Sequence, residues 1–216
     1  MKWPAIDFGH TPYEAAFARG DVYGIGADDA RARKRALSVA IAGAGGVAQA
    51  KWLPAIRYLQ TRGEPVTLVA VADPRPETAA KAAMLAQAEP FADVATMLDR
   101  ARPDLLLVLA ADPAHVPIAD AAIARGIACL IEKPLARDFR EAAALVGRAA
   151  QAGVLLASVA NKRFSPPYAM AKALVDGGAL KAAPTVFTGK FTLGYPYVDL
   201  LEGGTRGGTE SRPGFS

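Results

Sequence analysis

"VAIAGAGGVAQAKWLPAI", Val39 to Ile56, is the stretch whose reading decides the fold. An apolar run enters a glycine cluster, and the cluster opens into a helical pattern. Gly43, Gly45 and Ala48 stand at the spacing G-x-G-x-x-G/A. Each position has a physical reason. Glycine at 43 permits a tight turn out of a strand. Glycine at 45 lets the backbone approach a pyrophosphate with no Cβ in the way, and Ala48 keeps the helix close to the sheet. The helix start offers N–H groups and partial positive charge to phosphates, which brings Gly46 and Val47 into the candidate loop. Alone, such a motif is weak. Here it follows an apolar strand, opens a helix, and has an acid, Asp73, at the end of the next strand, which is the context the motif requires. Asp73 lies where a carboxylate reaches both ribose hydroxyls of an adenosine, and this favours NAD. Arg75, two residues on, is positioned to pair with a 2′-phosphate, although a solvated arginine is the plainer reading. The expected cofactor is NAD or NADP, with NAD favoured.

Outward from this loop, short apolar runs alternate with helical patterns. "LSVAIA" (37–42), "VTLVAVA" (66–72), "DLLLVLA" (104–110), "IACLI" (127–131) and "VLLASVA" (154–160) read as buried strands. A helix follows the glycine loop to about Gln60, with Trp52, Ile56 and Leu59 on one face and Pro54 expected to kink it. "PRPETAAKAAMLAQA" reads as a helix with Pro76 in its first turn. "PFADVATMLDRARP" gives a short strand or loop and a further helix. "DPAHVPIADAAIARG" is a helix ended by Gly126, and "RDFREAAALVGRAAQAG" one ended before Gly153. The alternation implies an α/β fold, a Rossmann-type doubly wound parallel sheet covered on both faces. Residues 1–36 read as an N-terminal extension, 37–160 as the dinucleotide-binding domain, and 161–216 as an incomplete C-terminal α+β domain. The last opens with a helix over about Tyr168–Asp176 and a β-like stretch, "TVFTGKFTLGYPYV".

Composition narrows the function. Of 216 residues, 52% are apolar and 21% charged, as in an ordinary soluble domain. The net charge of +4 is mild, and "RARKR" (31–35) is the one small basic cluster, so a nucleic-acid partner is not expected. No run of 18 apolar residues calls for a membrane span. The N-terminus lacks the apolar core of a secretory signal, and a cytoplasmic location is the default expectation. Cys129 is the single cysteine; it forms no intramolecular disulfide and reads as a small buried hydrophobe. No metal site is expected.

At "EKPLA" (132–136) the pattern resembles the glucose–fructose oxidoreductase and inositol dehydrogenase family, Gfo/Idh/MocA. Six pieces fall in order over roughly residues 37 to 200: the glycine loop, "LPAI" (53–56), "VAVADP" (69–74), "DLLLVLAADPAHVPIADAAIARG", "CLIEKPLA" and "NKRFSP" (161–166). The resemblance implies hydride transfer between a nicotinamide and a secondary alcohol of a sugar, inositol or related polyol. It implies that Lys133 touches the reacting hydroxyl. Residue chemistry agrees: burial at a strand end would disfavour the ammonium and ease proton exchange. Pro134 would hold the loop, through a bond that is often cis in this family. Glu132 would orient Lys133 or the nicotinamide ribose. Ala111, Pro113 and His115 are expected on the cofactor side, His115 having capping or packing as its alternative. Asp112 departs from the family's usual Thr. Asn161 and Arg163 are expected on the substrate side; Tyr195 and Tyr197 are weaker candidates, since strand tyrosines more often pack.

The family continues into a second domain that covers the nicotinamide and often forms an oligomer interface, so a homo-oligomer through a completed C-terminal sheet is expected. "LLEGGT" (200–205) looks like the glycine-rich turn before that domain's catalytic helix. Here "RGGTESRPGFS" follows instead, and neither His10 nor His115 is in the position of the family's catalytic histidine. Residues 161–216 supply too few strands to close a second sheet. The expectation is therefore a dehydrogenase chain truncated or frame-shifted after Thr205. The alternatives are a nucleotide-binding module without catalysis and a non-functional fragment.

Overall fold

The structure, a computed structural model, describes residues 36–161 and Tyr168. Residues 36–159 fall in one compact unit; Asn161 and Tyr168 fall in another, and both are exposed. The N-terminal extension before Ala36, Arg163, Tyr195, Tyr197, the rest of the expected 168–176 helix and the 185–198 stretch lie outside the described residues.

Six strands make one parallel sheet. They are β1 (Leu37–Ala42), β2 (Val66–Ala72), β3 (Glu89–Phe91), β4 (Leu105–Val108), β5 (Ala128–Ile131) and β6 (Leu156–Ser158), in the order β3-β2-β1-β4-β5-β6. This is the doubly wound order, in which strands are added outward on one side of β1 and then, from β4, on the other. The connecting helices are α1 (Leu53–Thr61), α2 (Pro76–Ala86), α3 (Val94–Ala101), α4 (His115–Ile123) and α5 (Phe139–Gln151). Period-2 alternation sorts the side chains of β1, β4 and β5 into two cores, and an irregularity in the β1–β2 register puts Leu68 and Val71 of β2 on the same face. Ala40, Ala42, Leu106, Val108, Cys129 and Ile131 pack with residues of α3, α4 and α5. Val39, Ile41, Leu68, Val71 and Leu107 pack with Ile56 of α1 and Ala82 and Ala83 of α2. Ala40 and Ala42 face one helical layer and Val39 and Ile41 the other, and β1 is buried from Val39 to Ala42.

Strands β4, β5 and β6 are shorter than their apolar runs, and end residues give their N–H groups elsewhere. Ile127 N–H goes to Ala122 O and Val154 N–H to Ala149 O, closing α4 and α5 rather than extending β5 and β6. Asp104 N–H goes to Ser38, whose backbone N–H and Oγ in turn meet Asp104 Oδ2 at 2.8 and 2.7 Å. That reciprocal pair fixes β1 against β4 at the end of the sheet opposite the glycine loop.

Two helices depart from expectation, and proline explains both. The helix after the glycine loop is not one kinked α-helix. It begins in α-helical geometry at Gly46 and Val47, widens into a π-turn, Ala48–Trp52, with Leu53 N–H on Ala48 O, and continues as α1 from Leu53. Pro54 has no N–H for the carbonyl four residues back, so the wide turn takes up the mismatch before Pro54 enters the first turn of α1. Pro117 likewise cannot donate to Pro113, and the helix expected from Asp112 begins as a 3-10 turn (Asp112–Ala114) ahead of α4. Gly126, at φ +71°, ends the turn after α4 as expected. Asp93 and Asp138 cap α3 and α5 through the N–H groups of Thr96 and Glu141.

Cys129 is 1% exposed, and burial pushes its thiol up to about 12 from an ordinary 9.0. The unfolded thiol therefore ionises first as pH rises. Between pH 9 and about 12 the unfolded chain binds fewer protons than the folded one, and stability falls with pH. In parallel denaturant titrations, the wild type is expected to lose stability across this window relative to Cys129→Ala. The excess slope approaches about 1.4 kcal/mol per pH unit; parallel curves for the two proteins contradict the buried thiol.

Candidate dinucleotide site

The residues that follow β1, β2, β4 and β5 share one edge of the sheet, because the strands are parallel. The glycine loop stands at its centre. Gly43 takes φ +95°, and its N–H bonds Ala72 O at 2.8 Å. A Cβ there would lie 2.5 Å from Ala110 N, 2.6 Å from Ala110 Cα and 2.7 Å from Leu109 C. These are backbone atoms and cannot yield. A Cβ on Gly45 or Gly46, by contrast, would meet nothing within 4 Å. The first glycine is thus demanded by the protein's own packing, and the next two leave open space on the crevice. Ala48 is 1% exposed and Val47 is exposed. The loop is held from within: Gln49 Nε2 donates to Ala44 O at 2.8 Å, and Gln49 N–H to Gly45 O at 3.0 Å.

Asp73 is buried although charged. Its Oδ2 accepts Ala44 N–H at 2.9 Å and its Oδ1 accepts Arg75 N–H at 3.0 Å. The end of β2 is thereby tied to the glycine loop. A carboxylate has about four acceptor positions, so capacity remains for donors from the crevice. The Arg75 side chain is more than half exposed and approaches Asp73 only loosely, at 3.5 Å; such a contact adds little.

After β4 the chain passes through Ala110, Ala111, Asp112 and Pro113 into α4. Ala111 and Pro113 are exposed and Asp112 half-buried. His115 is 1% exposed. Its Nδ1 lies 2.7 Å from Pro134 O and its Nε2 2.9 Å from Ala110 O. After β5 comes the turn Glu132-Lys133-Pro134, with the Lys133–Pro134 bond cis. Glu132 Oε1 accepts Trp52 Nε1–H at 3.1 Å, and Oε2 accepts Lys133 N–H at 3.1 Å.

The burial expected of Lys133 is not found. Strand β5 ends at Ile131, the turn leaves the sheet edge, and Lys133 and Pro134 are both exposed. Trp52 was not legible as part of the site, since its position in the helical pattern marked it only as one face of a helix. The π-turn accompanies its contact with Glu132. Asn161 is exposed. Among the described residues no group of three or more His, Cys, Asp or Glu gathers to hold a metal ion, and no helix is long and apolar enough to cross a membrane.

The residues fit a dinucleotide. The glycines leave room for a pyrophosphate at a helix start, and a buried carboxylate closes one side of the same edge. Fold and site together define a dinucleotide-binding doubly wound domain. Residues 37–160 match the Gfo/Idh/MocA model, an oxidoreductase family with an NAD-binding Rossmann fold, and the chain belongs to this family. It is 35% identical over 146 residues to an inositol 2-dehydrogenase of Streptomyces avermitilis, covering 67% of this chain and 41% of that protein. The WlbA dehydrogenase from Bordetella pertussis, solved with NADH and UDP-GlcNAcA, superposes with a TM-score of 0.61 at 24% identity, covering 67% of this chain and 43% of that one. A 3-ketoreductase from Actinomadura kijaniata solved with NADP gives a TM-score of 0.61 at 24% identity, over 68% and 45% of the two chains. The chain thus spans less than half the length of these relatives.

Gly43→Ala is expected to destabilise the domain by about 3 kcal/mol or more, from a left-handed residue and an overlap with backbone. Gly46→Ala is expected to leave thermal stability within about 0.5 kcal/mol. Equal melting temperatures for wild type and Gly43→Ala would contradict the close approach of Gly43 to Ala110.

Proposed function

We propose that this chain carries the cofactor-binding half of a nicotinamide-dependent dehydrogenase acting on a secondary alcohol of a sugar, inositol or related polyol. Residues 37–160 are the cofactor domain, and residues from 161 on open the substrate domain. The observation that carries this reading is the shared edge: a glycine loop fastened to Asp73 on one side and the Lys133 turn fastened to Trp52 on the other.

Gly45, Gly46 and Val47 receive the pyrophosphate with backbone N–H groups at the helix start. Asp73 accepts the adenosine ribose hydroxyls, and its negative charge disfavours a 2′-phosphate, so NAD is preferred. Arg75 lines the same ribose. Ala111 and Pro113 border the crevice at the end of β4. When bound, the nicotinamide supplies the hydride acceptor or donor. Lys133 hydrogen-bonds the reacting oxygen and moves its proton, and Glu132 holds the turn beside it. Asn161 and Arg163 contribute to the substrate side. The inositol dehydrogenase relative supports the substrate class.

Titrating the 216-residue chain with NADH tests the reading. Saturable quenching of tryptophan fluorescence is expected, with weaker binding of NADPH; no binding at millimolar NADH sinks the proposal, and tighter NADPH binding reverses the cofactor preference. Lys133→Ala is expected to leave NADH affinity within about twofold, because an exposed side chain outside the loop carries little of the binding. In the same variant, polyol-dependent NADH formation by any active form of the protein is expected to fall by about 100-fold or more.

A further inference from the structure

We propose that His115 is a positioning residue that fixes the Lys133 turn, and with it the nicotinamide end of the site; this rests on the dinucleotide reading above. His115 belongs to no catalytic step and its ring is 1% exposed, so it does not face the crevice as a ligand would. Burying a polar ring is costly unless its polar atoms are matched, and a purely apolar residue would fill the same space. What the imidazole adds is reach in two directions. Nε2 meets the carbonyl of Ala110, at the end of β4, and Nδ1 meets the carbonyl of Pro134, in the turn after β5. Carbonyl oxygens only accept. A neutral ring, with one N–H, donates to one of them; a doubly protonated ring donates to both.

The turn is therefore held at both shoulders. Trp52 holds Glu132 from the glycine-loop side, and His115 holds Pro134 from the side of β4. Lys133 stands exposed between these two anchors, with its own backbone N–H on Glu132. Positions that act on a reacting group tolerate little displacement, and neighbouring side chains must lock them. Asp73, which serves the adenosine, follows β2, and Lys133 follows β5; the pair β1 and β4 lies between them in the sheet. Loosening Pro134 is felt at the nicotinamide end alone.

NADH and ADP-ribose separate the two ends, since ADP-ribose keeps the adenosine and pyrophosphate and lacks the nicotinamide. His115→Phe, which keeps a ring of similar size without donors, is expected to weaken NADH by about fivefold to tenfold, the scale of one lost hydrogen bond, and to leave ADP-ribose within about twofold. His115→Asn retains an amide donor near the Nδ1 position and is expected to restore most NADH affinity. His115→Gln, whose amide reaches toward the Nε2 position, is expected to behave like His115→Phe. If the phenylalanine variant fails to fold, the Asn and Gln pair carries the same comparison. Equal losses for both ligands, no loss for either, or indistinguishable Asn and Gln variants overturn the proposal while leaving the dinucleotide reading intact. A wild-type chain that binds neither ligand overturns both.

Discussion

The geometry of the site depends on the absence of one carbon atom. Where β1 ends, Gly43 passes so close to the end of β4 that a Cβ would sit 2.5 Å from Ala110 N. That contact brings the two central strands together at the point where the sheet changes its winding direction, and crevices for ligands form at such points. Everything that follows is referenced to it. Gly43 N–H is still part of the β1–β2 ladder, on Ala72 O, while the next N–H, that of Ala44, already points to Asp73. The chain turns from sheet to loop within one residue. Ala110, the backbone on the other side of the contact, offers its carbonyl to His115. One close approach thus sets the position of the glycine loop, of Asp73 and of the base of the β4 connection.

Around this centre, polar side chains act as ties between strand ends. Asp73 joins β2 to the glycine loop, Glu132 joins the turn after β5 to the π-turn after that loop, and the His115 ring lies between the carbonyls of Ala110 and Pro134 at the ends of β4 and β5. Each tie has a backbone group as at least one partner, apart from the indole N–H of Trp52. This differs from the exposed ion pairs of the helical surface, such as Arg125 with Asp99, whose hydrogen bonds hold the Asp99 carboxyl below the usual carboxylate range. Those pairs are solvated and contribute little to stability. The ties at the sheet edge are half-buried or buried, and a lost partner there leaves an unsatisfied polar group, which is the expensive case.

Much of this was legible in the sequence, for identifiable reasons. The alternation of apolar runs and helical patterns fixed the element order, because a buried parallel strand must be nearly all apolar and a covering helix must be amphipathic. Strands β1 and β2 emerged with the bounds read from "LSVAIA" and "VTLVAVA". The glycine spacing and Asp73 were readable because backbone geometry restricts which residues serve there. The misses came from hydrogen bonds that no local pattern reveals. Strand ends were overestimated where an apolar residue such as Val154 closes the preceding helix. The π-turn was missed because Pro54 announces a disruption without saying which kind. Trp52 and the two-sided role of His115 depend on partners 80 and 19 residues away. Burial at Lys133 was inferred from the apolar strand before it, but exposure is decided by what covers the turn, and a sequence neighbour does not supply that.

The contrast between Asp73 and Lys133 bears on how labour is divided in the molecule. Asp73 is buried and matched by the loop it supports, and both partners of that contact lie within residues 36–159. Lys133 has its backbone fixed but its side chain exposed. Affinity for a ligand comes largely from groups organised before it arrives, and Asp73 with the glycine loop is such a group. Electrostatic control at a polar side chain is strongest where water is excluded, and the described residues leave Lys133 open to it. The relatives matched by this chain are more than twice as long as the part it aligns with.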